Sequence, residues 1–397
     1  MKTIYLDYAA TTSVDELVLE KMLPFFTEKY GNPSSLHSVG REAKLAISQA
    51  RETIAKHFNC LPREIIFTGS GTESDNLAII GVAMANRHKG KHIITTKIEH
   101  HAVLYACSYL EQNGFEITYL PVNKDGIVDP KDVRAAISEQ TVLVSVIFAN
   151  NEIGTIQPIK EIAAICNSSK VLMHTDACQA AGAFILDVRD LGVDLLTING
   201  SKIYGPKGVG ALFVREGVKV SPMLYGGTQE FSRRAGTENI PGIVGMAEAL
   251  HLVQSEREDE NARLIKMRDR LIKELLTLIP KSRLNGHPTQ RLPNNINMSF
   301  LDVEGESIIL HLDAKGVCVS TGSACTSTDL EASHVLLALG LPDELAHGSV
   351  RLTLGKYTTE SDIEYVIKIL PEVISRLREM SPLCSKVEDY AGLFERL

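Results

Sequence analysis

Polar clusters recur just past the ends of apolar runs, and their residue types are those of a reaction centre. Gly69-Ser70-Gly71-Thr72-Glu73 follows the run Glu64–Thr68, Glu99-His100-His101 follows His92–Thr96, and Asn150-Asn151-Glu152 follows Val142–Ala149. Asp176-Ala177-Cys178-Gln179 follows Val171–Thr175, and Asn199-Gly200-Ser201-Lys202 ends the run Leu195–Asn199. In an open parallel sheet, ligands bind outside the carboxyl ends of the strands. Five strand ends would then bring a glycine-rich loop, a histidine, an asparagine, an aspartate with a glutamine, and a lysine to one place. Each has an ordinary explanation alone; their joint placement does not.

The chemistry available to each follows from its type. Gly71 and Thr72 open a helix, where backbone N–H groups can approach an anion; taken alone, Thr72 reads as the cap of that helix. The loop is neither a Walker A motif, since no Gly-Lys-Ser/Thr follows, nor a dinucleotide fingerprint, since the third glycine position is Ser74. Asp176 either terminates its strand or pairs with a protonated ring nitrogen, keeping a pyridinium electron-withdrawing. His100 is either a core histidine or a ring that stacks and shuttles protons. Lys202 follows a buried-looking strand, the context in which a lysine becomes a Schiff-base former, whereas Lys207 reads as a surface residue. Cys325 lies in Ser320-Thr321-Gly322-Ser323-Ala324-Cys325-Thr326-Ser327-Thr328, a run too rich in small polar residues for a strand core. A loop of that kind suits a thiol that must travel. Arg351, in the alternating run Ser349-Val350-Arg351-Leu352-Thr353, is either a carboxylate clamp or a domain-interface ion pair. His100-His101 and His174-Thr175-Asp176 do not have zinc spacing, so no metal site is expected.

The elements that must position these residues follow from periodicity. Between about residues 60 and 215, apolar strand-like runs alternate with helical spacing, the signature of βα units and a mostly parallel sheet covered on both faces. The last run, Ala211–Val214, has almost no helix before it and could run antiparallel. A polar helix-rich stretch, about 243–278, carries the charge run Ser255–Glu260, read as a solvated helix face. Strand Asn295–Phe300, helix Glu306–Asp313, strand Val317–Ser320, strand Ser349–Leu354 and helix Ser361–Arg378 then suggest a smaller α+β unit. At 397 residues the chain exceeds the usual size of one core, so two domains are expected.

Composition narrows the class of partner. There are 41 Lys and Arg against 49 Asp and Glu, a net charge of -8, which offers no general footing for nucleic acid. The opening residues lack signal-peptide character and no apolar run is long enough to cross a bilayer, so a cytoplasmic, non-membrane protein is expected. Seven cysteines without a CxxC pair fit reduced thiols rather than a disulfide framework.

The chain resembles the NifS/IscS-type cysteine desulfurases of the class V aminotransferase group. The resemblance runs from Tyr5-Leu6-Asp7-Tyr8-Ala9-Ala10-Thr11-Thr12 to Gly355-Lys356-Tyr357-Thr358-Thr359-Glu360. It includes Gly31-Asn32-Pro33-Ser34-Ser35, Thr72-Glu73-Ser74-Asp75-Asn76, Asn150-Asn151-Glu152-Ile153-Gly154 and Arg233-Arg234-Ala235-Gly236-Thr237-Glu238-Asn239, with the Ser323-Ala324-Cys325 segment. It implies the α/β fold type I of pyridoxal 5'-phosphate (PLP) enzymes: a large doubly wound domain, about 15–260, and a small domain from 1–14 and 261–397. It also implies a homodimer with active sites near the subunit interface.

Residue by residue, the resemblance implies that Lys202 holds the cofactor covalently and Asp176 pairs with its pyridine nitrogen. His100 would stack on the ring, and Gln179 would bond the phenolic oxygen. Gly71 and Thr72 would hold the phosphate, with Asn199 and Ser201 nearby and Thr237 reaching over from the second subunit. The family commonly has Ser and His where this chain has Asn199 and Ser201, so a potentially cationic phosphate donor is replaced. Asn151 and Arg351 would bind the substrate carboxylate. Cys325 would take sulfur from L-cysteine, leaving alanine and an enzyme persulfide. The segment on through Asp329-Leu330-Glu331 to the expected helix Ser333–Leu339 resembles the longer-loop group, which hands sulfur to an acceptor such as an iron–sulfur scaffold protein. A selenocysteine lyase, and a non-catalytic scaffold that keeps the fold for binding, are the competing readings.

Overall fold

The structure is a computed structural model that describes residues 3–322 and 332–380; Cys325 and Asp329–Glu331 lie outside the described residues. Twelve strands are present among the described residues. They are β1 (Ile4–Tyr5), β2 (Ile65–Thr68), β3 (His92–Thr96), β4 (Glu116–Leu120), β5 (Thr141–Ser145), β6 (Leu172–Asp176), β7 (Leu195–Asn199), β8 (Gly210–Val214), β9 (Ser282–Leu284), β10 (Asn295–Phe300), β11 (Val317–Cys318) and β12 (Ser349–Thr353).

Seven of them form one sheet in the order β2-β8-β7-β6-β5-β3-β4. β3 to β7 pair in parallel, and β8 lies antiparallel between β7 and β2, as its short connection allowed. Apolar side chains alternate between two cores. Ile65, Phe67, Ile94, Val144, Leu196 and Phe213 face the helices Ser38–Phe58, Ile159–Ser168 and Ile240–Ser255. Ile66, Ile93, Leu143, Leu195 and Leu212 face the helix His101–Gln112 and the segment Leu77–Gly81. The two-residue period makes near-continuous apolar runs necessary, because both faces of each strand are buried.

A three-stranded antiparallel sheet, β12-β10-β9, and the parallel pair β1-β11 form the second body. Ile296, Met298 and Phe300 of β10 and Val350 and Leu352 of β12 pack with the helices Arg257–Leu278 and Glu360–Met380. Ile4 and Leu6 join that core, although hundreds of residues separate them from it in sequence. The alternate residues of the same strands, Asn295, Asn297, Ser299, Ser349, Arg351 and Thr353, are buried on the opposite face. That polar face turns toward the large sheet. Two helices, Ile240–Ser255 and Arg257–Leu278, account for the polar stretch, and the charge run sits at their junction. It is not merely solvated: Glu260 pairs with Arg263 at 2.7 Å and Glu256 with Lys356 at 3.3 Å.

Order in the segment that leads to Thr237 depends on a buried ion pair. Arg51, on the helix Ser38–Phe58, donates from Nη1 and Nη2 to Glu230 Oε2 and Oε1 at 2.8 and 2.6 Å. Glu230 Oε2 also accepts the backbone N–H of Phe67 in β2 at 2.8 Å. Glu230, Phe231 and Ser232 all have positive φ, an unfavourable conformation for non-glycine residues that this anchorage holds in place. Glu230→Ala leaves a buried guanidinium without its carboxylate and should lower stability by about 3–5 kcal/mol. Denaturant unfolding of the two proteins measures the difference, and a loss below about 1 kcal/mol would show the pair to be dispensable.

Candidate active site

A cavity of about 340 Å³ opens at the carboxyl ends of the parallel strands, within the roughly 300–1,000 Å³ of small-molecule sites. It lies where the strand order reverses between β3 and β5, the place an open α/β sheet leaves a crevice. Asn150 donates from Nδ2 to Ile98 O at 2.7 Å, joining the segments past β5 and β3.

Gly71, Thr72, His100, Asn151, Asp176, Gln179, Asn199, Lys202 and Arg351 all line this cavity. Gly71 is the first residue of the helix Gly71–Asn76, and a β-carbon there would sit 2.9 Å from Cys178 Sγ, so only glycine lets the turn approach so closely. Ser70, rather than Thr72, caps that helix, accepting from Glu73 N at 3.1 Å and leaving Thr72 exposed at the rim. His100 caps the helix His101–Gln112 by accepting from Ala102 N at Nδ1, 3.1 Å. A neutral ring therefore carries its proton on Nε2. Asp176 ends β6 and accepts from Cys178 N at 2.9 Å.

Lys202 ends a single helical turn, Gly200–Lys202, after β7. Its Nζ donates to Ala9 O at 2.9 Å and to Ala10 O. Gln179 Nε2 donates to the same Ala9 carbonyl at 2.9 Å, so the N-terminal segment forms part of the cavity wall. Ser201 is buried and does not line the cavity. Its backbone N–H bonds Asn199 Oδ1 at 3.2 Å, and its carbonyl accepts from Thr12. Thr237 is exposed and stands away from this chain's cavity.

Arg351 combines both readings of the alternating strand. It faces away from the small core and is buried, donating from Nη2 to Asp7 Oδ1 at 2.9 Å and from Nη1 to Asn151 O at 3.1 Å. The ion pair is real, and it leaves the buried Nε as the one guanidinium nitrogen without a hydrogen-bond partner among the described residues.

Several acids and bases around the cavity escaped the sequence reading. Burial, followed by the nearby charge of Asp176, raises the Asp75 carboxyl well above the ordinary range. Burial likewise pushes Glu99 up to about 8, against the opposing bonds from Thr96 and the Ile147 N–H. Glu99 Oε2 and Asp75 Oδ1 are buried without hydrogen-bond partners among the described residues, Asp75 Oδ1 standing 3.7 Å from His174 Nε2. His174 is pushed down to about 4 by burial, and its two nitrogens bond Ser145 and Thr197 at 2.9 and 3.1 Å. The neutral ring sits beneath the site as a spacer between strands. Glu99 and Glu152 adjoin residues already singled out, and Asp75 lies in the Thr72–Asn76 motif, so adjacency was their signal. His334 also lines the cavity, and nothing in its local sequence pointed there.

These residues fit PLP. The cavity has the volume, a lysine amine at its wall, a carboxylate at a strand end and a glycine-opened turn on the far side. The unpartnered Arg351 Nε and Glu99 Oε2 are polar atoms that a polar ligand would satisfy.

Comparison with known proteins agrees with this geometry. Residues 4–366 match the model of the aminotransferase class-V family. The "Cysteine desulfurase IscS" of Methanosarcina thermophila is 55% identical over 385 residues, covering 97% of this chain and 95% of that protein. The protein of the same name from Clostridium botulinum is 52% identical over 391 residues, covering 98% of each. Among solved structures, a "NifS-like protein" superposes with a TM-score of 0.89 at 38% identity, covering 94% of this chain and all of that one. One titled "SspA in complex with cysteine" superposes with a TM-score of 0.80 at 35% identity, covering 90% and 100%. The chain belongs to the aminotransferase class-V family, as a PLP-dependent, fold-type I member of its cysteine desulfurase branch.

Proposed function

We propose that the cavity removes sulfur from L-cysteine and that Cys325 receives it as a persulfide for transfer to an acceptor protein. The observation that carries this reading is the convergence of Lys202, Asp176, Gln179, His100, Asn151 and Arg351 on one cavity. The relatives named as cysteine desulfurases, and the structural neighbour whose title includes cysteine, support the choice of substrate.

When bound, PLP supplies an electron sink for bonds broken at the substrate's Cα and Cβ. Lys202, whose amine donates to the Ala9 and Ala10 carbonyls, would be the residue that holds it covalently. Asp176 accepts a proton-bearing ring nitrogen, and Gln179 bonds the phenolic oxygen. Gly71, Thr72 and Asn199, which line the cavity, would surround the phosphate with donors, joined by Thr237 of a second subunit, while Ser201 stands behind Asn199. Arg351 receives the substrate carboxylate, with Asn151 beside it. His100 would stack on the ring, with Nε2 left to carry protons because Nδ1 accepts the Ala102 N–H. The raised carboxyls of Asp75 and Glu99 limit the negative charge that the cofactor phosphate and the substrate carboxylate meet.

The balance of the transfer is simple. The Cβ–S bond of cysteine breaks and an S–S bond forms at the Cys325 thiolate. The thiol sulfur is oxidised, Cβ is reduced, and a proton is delivered to the new methyl of alanine. No external oxidant or reductant is needed. A competent thiolate is the chemical requirement on Cys325.

The same reading assigns about residues 15–260 to the large domain and 1–14 with 261–397 to the small one, supported by the packing of Ile4 and Leu6 in the second core. It makes the protein a cytoplasmic homodimer that passes sulfur to an iron–sulfur scaffold or another sulfur acceptor, with no role for nucleic acid. Among the described residues no helix is long and apolar enough to cross a membrane.

Lys202→Ala should abolish covalent fixation of PLP by borohydride. Fixation that survives in the variant would put the attachment on another amine. Cys325→Ser should keep bound cofactor and its spectral response to L-cysteine, while joint alanine and sulfide production falls by about a hundredfold or more, a hydroxyl being a far poorer sulfur acceptor. Near-normal production by this variant would overturn the assignment of Cys325. A simple Cβ lyase would give that outcome.

A further inference from the structure

The turn after β2 carries an acid that the chemistry above does not use. Glu73 stands in the first turn of a helix whose backbone runs on from Gly71 through Leu77–Gly81 to Asn86. A carboxylate at that position readily folds back onto the free N–H groups at the helix start, where it competes with any anion offered to them. Here it is turned aside. Glu73 Oε2 accepts the backbone N–H of Gly69 at 2.8 Å, one residue ahead of the Ser70 cap. Gly71 and Thr72 line the cavity, and Glu73 does not.

Arg234 holds the carboxylate in that place. Its Nε donates to Glu73 Oε1 at 2.8 Å and its Nη2 to Glu73 Oε2 at 3.4 Å, so both oxygens are engaged. Arg234 is itself placed by the ordered segment before it. The Arg233 N–H donates to Glu230 O at 3.1 Å, and Glu230 is anchored by Arg51 and by the Phe67 N–H in β2. The segment therefore grips β2 within the strand and again just past its end. The side chains of Arg234 and Glu73 are 23% and 26% exposed, so the pair adds little to stability. Its weight lies in charge at the turn. Ser70, Thr72, Asn199 and Ser201 are neutral, and none of them offsets a carboxylate there.

We infer that Arg234 is a positioning residue for the cofactor's phosphate: by holding Glu73 on the Gly69 N–H and balancing its charge, it keeps that carboxylate off the N–H groups of Gly71 and Thr72. This role rests on the reading of Gly71 and Thr72 as the phosphate turn, and it gives Arg234 no contact with the cofactor. A phosphate and a loose carboxylate compete for the same donors and repel each other at short range. Pyridoxal has the ring and aldehyde of PLP without the phosphate and meets neither difficulty. The pair therefore acts on phosphate affinity and leaves ring binding alone.

The test titrates the apoprotein with PLP and with pyridoxal by equilibrium dialysis, and uses inorganic phosphate as a competitor of PLP. Arg234→Gln should raise the Kd for PLP and the Ki of phosphate by about tenfold or more, with the Kd for pyridoxal within about twofold. Arg234→Lys, which keeps the charge but not the fork, should lie between Arg234→Gln and the wild type. Glu73→Gln keeps an acceptor for the Gly69 N–H without the charge, so its Kd for PLP should stay within about threefold of wild type. The double variant Arg234→Gln with Glu73→Gln should also return to within about threefold, because the charge that Arg234 restrains is gone. A mere staple between two segments gives the opposite pattern, with both single changes harmful and no rescue. Equal loss of PLP and pyridoxal affinity in Arg234→Gln would overturn the inference. So would wild-type PLP affinity in that variant, or a double variant as weak as Arg234→Gln alone. Thr72→Val separates this role from the reading beneath it. If Thr72→Val loses the preference for PLP over pyridoxal while Arg234→Gln keeps it, only the role of Arg234 falls. If both variants keep it, the phosphate turn lies elsewhere and the role of Arg234 falls with it.

Discussion

The buried guanidinium of Arg351 is the interaction on which the rest of the site depends. It reaches Asp7 of the N-terminal segment, Asn151 of the loop past β5 and Gly322 ahead of the Cys325 segment, three stretches that sequence keeps far apart. An arginine buried without such partners would cost several kcal/mol, so the three contacts are a condition of the fold as much as a feature of the site. The N-terminal segment gains its position twice over. Its Ala9 and Ala10 carbonyls take the Lys202 amine, and Ile4 and Leu6 fill the small core. The cavity is therefore walled by both bodies, and neither would form it alone.

Electrostatics inside the cavity follow from that enclosure. Four acids, Asp75, Glu99, Glu152 and Asp176, stand around a site meant for an anionic cofactor and a substrate carboxylate. Ionising all of them in so confined a space would repel both ligands. Burial raises Asp75 and pushes Glu99 up to about 8, which disfavours their charged forms beside the ligands. Asp176 and Glu152 are satisfied by donors, the Cys178 N–H in one case and the Ser333 hydroxyl in the other. Neutral His174 fills the space between β5 and β7 without adding a charge.

Much of this was legible in the chain. The strand-like runs gave the large sheet because each strand is buried on both faces, which forces long apolar runs with polar residues only at their ends. Those ends are where Gly71, His100, Asn151, Asp176, Gln179 and Lys202 were found, and all line one cavity. The alternation in Ser349–Thr353 showed that Arg351 and Val350 face opposite ways, but not which way was inward, since a period of two has no sign. Thr72 was an expected helix cap in the absence of other signals, and the cap is Ser70: both hydroxyls are local candidates, and only backbone direction separates them.

What the sequence by itself determined was the set of strand-end groups and, through the motifs shared with the cysteine desulfurases, the family. Both are encoded locally, in hydrophobic period and in contiguous motifs. What only the tertiary structure decided was the company those groups keep. Asp7 meets Arg351 across 344 positions, and Glu152 meets Ser333 across 181. His334 joins a cavity built mainly by the first half of the chain. Such contacts leave no periodic trace, because a buried ion pair or hydrogen bond constrains two side chains in space without constraining the residues beside them. The shifts at Asp75, Glu99 and His174 are of the same kind. They come from desolvation, which is a property of the closed cavity and of no residue in it.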